Sequence, residues 1–226
     1  MFTIQEIKQR YSPQDVESFI KDFKNQNNPR YDSFDYCYGY FQNNKTRLAN
    51  NMEQSCMALW SYLASWGMLR GSSILLQKGN YKVLDETVNV IQRYFNRPHT
   101  LPDIANDTRN DYVDKVVNLC KAIEGSLKKG MPQLNPTNTL VTKIILGVFG
   151  VFPALDQFFR KSFGDGTSIK GYAGIVWEFY HSNRYKSVID KFKVEVKSFS
   201  GQPSSLFYPV AKLIDMFGFT YGMKKQ

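Results

Sequence analysis

The sequence is short of the residues from which most catalytic centres are assembled, with 2 His and 3 Cys in 226 positions. His99 and His181 cannot build a His-rich metal centre, and a Cys–His nucleophile would need a long-range pairing that no local spacing announces. Cys37, Cys56 and Cys120 are odd in number and widely spaced, which excludes a disulfide scaffold and suits reduced thiols in a cytoplasmic compartment. There is no G-x-x-x-x-G-K-[ST] loop, no G-x-G-x-x-G after a strand, no H-E-x-x-H helix and no C-x-x-C pair. Long apolar runs are missing as well: residues 144–155 fall short of the roughly 20 needed to span a bilayer, and the start MFTIQEIKQRY lacks the apolar stretch of a signal peptide. These absences exclude a membrane partner, a metal and a cofactor from the reading. Carboxylates remain as the reactive groups to consider.

What is abundant points elsewhere. Hydrophobic residues make up 42% of the chain, with 17 Phe and 14 Tyr, which is more apolar surface than a disordered chain carries. The length suits a single domain over residues 1–226. With 29 Lys+Arg against 20 Asp+Glu the formal charge is +9, a field that attracts nucleic acid or anionic lipid without specifying either.

Punctuation and periodicity predict an all-α protein of about ten helices, monomeric, with a candidate lobe boundary in the Gly- and Pro-bearing residues 128–137. Ser12-Pro13-Gln14-Asp15 is a helix start, with a hydroxyl cap, Pro in the first turn and an acid at the positive end of the dipole. Further helices are predicted over residues 34–41, 52–69, 81–95, 111–127, 139–148, 169–180, 185–196 and 203–219, and Pro153 is expected to open another.

Three stretches carry chemistry. Residues 33–41 are dense in aromatics: Asp35, Tyr36 and Tyr38 could line a base-stacking pocket, or Phe34, Cys37 and Phe41 could simply face the core. The apolar helix ending in Trp66 leads into Arg70 and Ser72, a cation and a hydroxyl placed to meet phosphate or to neutralise a buried acid such as Asp35 or Asp156. Residues 142–156 run from a Lys-bearing helix through a Gly-containing turn to Asp156. Unpaired peptide N–H groups in such a turn can hold a phosphate, although Gly147 and Gly150 would equally permit close helix packing and Asp156 would equally favour a helix start.

Leu146-Gly147-Val148-Phe149-Gly150 followed by Asp156 resembles the hairpin and acid of the helix-hairpin-helix DNA glycosylases, over about a tenth of the chain. The resemblance implies that Lys143, Gly147 and Gly150 grip a DNA backbone. It also implies that Tyr36, Tyr38, Asp35, Trp66, Arg70 and Ser72 receive an extruded nucleotide, and that Asp156 faces the sugar, where an anion stabilises the developing oxocarbenium. The expected activity is excision of a damaged or modified base from DNA, with defence against modified phage DNA as one setting. The rival readings are a non-enzymatic helical module that binds nucleic acid or protein, and a metal-independent helical nuclease.

Overall fold

Side-chain oxygens just ahead of the first turn decide where many of the helices begin. In the computed structural model, which describes residues 3–26 and 28–224, Thr3, Ser12, Thr108, Thr137, Asp156 and Ser168 each cap a helix by accepting a backbone N–H. The sequence-predicted start at Ser12 is a full capping box, with Asp15 N–H donating to Ser12 Oγ at 3.1 Å and Ser12 N–H donating to Asp15 Oδ2 at 2.7 Å.

The described residues are about 67% helical. In chain order the helices are α1 (Ile4–Arg10), α2 (Pro13–Asn25), α3 (Asp32–Asn43), α4 (Met52–Ser65), α5 (Ile74–Lys78), α6 (Asp85–Phe95), α7 (Arg109–Gly130), α8 (Asn138–Phe149), α9 (Gln157–Phe163), α10 (Ile169–His181), α11 (Asn183–Ile189) and α12 (Val210–Lys224). A single antiparallel hairpin, β1 (Glu195–Lys197) and β2 (Pro203–Phe207), sits between α11 and α12. The protein is therefore all-α, with twelve α-helices among the described residues rather than about ten.

Two of the helices are buried on every side and mostly apolar, the pattern of a helix with no solvent face. Residues 140–149 of α8 and 211–222 of α12 are all buried. α8 packs against α3, α4 and α7, while α12 packs against α2, α9 and α11. α7 and α8, on either side of residues 131–137, touch each other, and their buried residues belong to one continuous apolar cluster. Among the described residues no helix is long and apolar enough to cross a membrane.

Two expectations are corrected. The helices predicted over 185–196 and 203–219 form only in part, α11 stopping at Ile189 and α12 starting at Val210, and the hairpin takes the residues between, because residues 191–197, Lys-Phe-Lys-Val-Glu-Val-Lys, alternate with period two and bury Val194 and Val196 on one face. Gly201, at φ +77°, lies between the strands. Pro153 does not open α9. The segment runs without helix to Asp156, whose carboxylate accepts the N–H groups of Phe158 and Phe159 and so sets the helix start at Gln157.

Gly147 and Gly150 serve packing. A Cβ on Gly147 would lie 2.4 Å from the Tyr62 ring, so its absence lets α8 press against α4. Gly150 ends α8 in the left-handed region at φ +67°, with its N–H already shared between the carbonyls of Ile145 and Leu146. Gly147→Ala is expected to lower stability by about 1–3 kcal/mol through overpacking, read from the urea midpoint. An unchanged midpoint would mean that Tyr62 moves aside without strain.

Candidate functional site

Thr139, Thr142 and Lys143 recur at helical spacing, so they form one polar stripe on the otherwise apolar α8. That stripe grips the extended segment ahead of α9. Thr139 Oγ1 donates to the Leu155 carbonyl at 2.8 Å, Leu155 N–H donates to Thr142 Oγ1 at 2.9 Å, and Lys143 Nζ meets Asp156 Oδ2 at 2.9 Å. Asp156 Oδ1 is occupied by the Phe158 and Phe159 amides at 3.1 and 3.0 Å. The carboxylate is thus held by three donors, with its side chain 13% exposed. The Lys143 ammonium also lies over the indole of Trp66, 4.3 Å from the ring centroid.

A second buried pair stands on α12. Lys212 Nζ lies 3.3 Å from Asp215 Oδ2, and Asp215 Oδ1 accepts the Ala154 N–H at 3.0 Å, so the 154–156 segment is held from both central helices. Lys212 is caged by rings, 4.6 Å from Phe34, 4.7 Å from Phe23 and 5.5 Å from Trp66. Burial pulls its ammonium below the ordinary lysine range, and the Asp215 anion opposes that shift.

Asp35 on α3 completes the island. It is 1% exposed. Tyr208 donates to Oδ1 at 2.5 Å and the Lys197 amide donates to Oδ2 at 2.9 Å, which ties the hairpin to α3. Burial raises the Asp35 carboxyl above its usual range, while those two hydrogen bonds and the Lys212 charge pull the other way. Burial also drives the Tyr62 hydroxyl well above the ordinary range, reinforced by nearby Asp215 and Asp156. Three carboxylates and two ammonium groups therefore share one sheltered region.

Of the residues singled out from sequence, Asp156, Lys143 and Trp66 meet directly, and Asp35 joins them through Lys212. The others do not converge there. Arg70 and Ser72 are exposed in the loop after α4, and the cations that balance the buried acids are Lys143 and Lys212 instead. Tyr36 is 38% exposed and faces Phe199, while Tyr38 stacks on Phe34 and contacts the turn at Gly150. Lys143, Gly147 and Gly150 are buried, so none of the three presents a surface to a DNA backbone. A cavity of about 330 Å³ opens beneath the hairpin, with Asp35, Tyr31 and Tyr208 but not Asp156 in its lining.

Lys212, Asp215, Thr139 and Thr142 were not singled out. Their signal was present: a charged or hydroxyl residue at three- and four-residue spacing on a helix otherwise apolar all round needs a buried partner. Compared with protein-family models, curated proteins and solved structures, the chain matches none of them.

Removing one member of a buried ion pair leaves the other uncompensated, at about 3–5 kcal/mol. Lys143→Met should therefore cost about that much in urea unfolding, and Lys143→Met combined with Asp156→Asn should cost clearly less than the sum of the single changes. Strict additivity would show that the pair carries no coupling.

Proposed function

We propose that the protein binds DNA and releases a base from it, with Asp156 as the anion beside the reacting sugar. The observation that carries this reading is the Lys143–Asp156 pair at 2.9 Å against the Trp66 indole: a fixed carboxylate and a cation beside an aromatic face. In such an excision the C1′–N bond breaks, the base leaves with the bonding electrons and gains a proton, and water adds at C1′ and loses one. Asp156 stabilises the positive charge that grows on the sugar.

Access runs through Tyr31. Its ring lies parallel to Phe23 at 4.2 Å and parallel to Trp66 at 5.8 Å, filling a slot of the kind an extruded base would occupy. Tyr31 sits on the short turn Pro29–Tyr31, and among the described residues its hydroxyl reaches only Gln26 at 2.7 Å, so swinging it out uncovers the indole.

The DNA backbone contact belongs to the hairpin rather than to the turn at Gly150. Lys191 and Lys193 are exposed just ahead of β1 and Lys197 at its end, and Phe199, 90% exposed at the tip of the hairpin, has the form of a wedge that enters a base step. The second reading, a non-enzymatic module, is favoured by one observation: both oxygens of Asp156 are engaged within the fold.

Incubation with DNAs bearing a panel of modified bases, followed by alkali, reads abasic sites as strand breaks. Wild type should release a base, and Asp156→Asn should lower the rate by at least about a hundredfold, the scale of losing one preorganised electrostatic group. Equal rates would reject Asp156, and no release across the panel would favour the module. Phe199→Ala should weaken DNA binding in either case, measured by fluorescence anisotropy, and unaltered binding would remove the hairpin from the interface.

A further inference from the structure

The cavity beneath the hairpin shares Phe23 and Tyr31 with the slot described above but does not include Asp156 or Lys143, so nucleotide binding in it and base excision are read by different variants and can fail independently. Its volume of about 330 Å³ lies at the small end of ligand sites, which run from about 300 to 1,000 Å³. One wall is aromatic: Phe23 and Tyr31, stacked on each other, with Tyr208. Asn28, Asp32 and Asp35 are polar groups of its lining, and Asp35, at 1% exposure, is a buried one.

What remains free on Asp35 defines the ligand. An ionised carboxylate accepts about four hydrogen bonds. Each Asp35 oxygen takes one from the protein, Oδ1 from Tyr208 and Oδ2 from the Lys197 amide, so each retains an acceptor position. A planar ring with two adjacent N–H donors along one edge can satisfy both oxygens at once. Among the common bases that edge belongs to guanine, through N1–H and the N2 amino group. Adenine and cytosine each offer one donor beside an acceptor, and uracil offers one donor between two acceptors, which a carboxylate disfavours.

The mouth of the cavity has the matching charge. Lys24 and Lys193 are exposed there and form no ion pair among the described residues, whereas Lys197 is engaged with Asp32 at 3.2 Å. Glu195 also lies at the mouth and opposes an anion, so a phosphate would gain modestly over the bare nucleoside.

We infer that the cavity beneath the β-hairpin is a guanine site, with Asp35 reading the base edge, Phe23, Tyr31 and Tyr208 walling the ring, and Lys24 and Lys193 facing the 5′-phosphate.

Calorimetric titration of the intact protein with GMP, AMP, CMP and UMP tests this. GMP should bind at least about tenfold more tightly than the other three, the discrimination expected of a bidentate contact. Asp35→Asn, which replaces an acceptor by a donor, should abolish the preference. Because Asp35 also anchors the hairpin, the exposed pair Lys24→Gln and Lys193→Gln provides a second variant, which should narrow the difference between GMP and guanosine and leave the preference for guanine in place. A single-stranded oligonucleotide with one guanine, set against the same strand without it, identifies the source: displacement of GMP only by the former assigns the site to nucleic acid, and displacement by neither assigns it to free nucleotide. No binding at millimolar concentration, equal binding of all four nucleotides, or full guanine preference in a folded Asp35→Asn protein would each overturn the assignment.

Discussion

An ammonium group stays in a protein interior only when an anion and polarisable faces replace the water it has lost. The two central helices each bring one inside, Lys143 on α8 and Lys212 on α12, and much of the architecture is arranged around meeting that requirement. Lys143 fixes the extended segment that ends at Asp156, and Lys212 draws ring faces from α2, α3 and the end of α4. Asp215 binds the same segment from the opposite helix through the Ala154 amide. The start of α9, the packing of α12 and the position of Trp66 thus depend on two positive charges.

That arrangement explains why a fold-defining network and a reactive centre are hard to separate here. A carboxylate with three donors is a good helix cap and also a fixed anion of the kind that stabilises developing positive charge. Trp66 adds to the ambiguity: its indole N–H is buried without a partner among the described residues, while Arg30, Lys143 and Lys212 surround the ring at 5.0, 4.3 and 5.5 Å. An orphaned donor among cations is poor economy for a purely structural core. It is more natural beside a place that a polar ligand visits.

The all-α class was legible because most helices announce themselves through caps and 3.6-residue periodicity, as Ser12, Val16, Ile20 and Phe23 do. The hairpin was legible too, in the alternation of residues 191–197, but a helical reading of its flanks hid it. Asp156 and Lys143 could be picked out, since a charge beside Gly-rich apolar sequence stands apart, and the choice between backbone grip and buried pair depended on which helix lay opposite. Arg70 and Ser72 illustrate the limit: their local sequence allows a cation for a buried acid, yet the loop carries them to solvent, away from Asp35 and Asp156. The partnership of Asp35 with Lys197 and Tyr208 spans 162 and 173 positions, a distance over which spacing carries no information.

The contact between α2 and α12 has a consequence for how the chain is made. Val16, Ile20 and Phe23 are sealed by helices translated nearly 200 positions later, with Tyr11 resting edge-on against Phe217 at 5.0 Å. A ribosome delivers the early helix long before its lid exists, so its apolar face stays open until α12 has emerged. The Lys and Glu residues along its outer face, such as the Glu17–Lys21 pair at 2.6 Å, keep that waiting helix hydrated on one side. Closure then falls to α12, which carries Lys212 and Asp215 to the rings of α2 and α3 and to the Ala154 amide, after Lys143 and Asp156 have both been made.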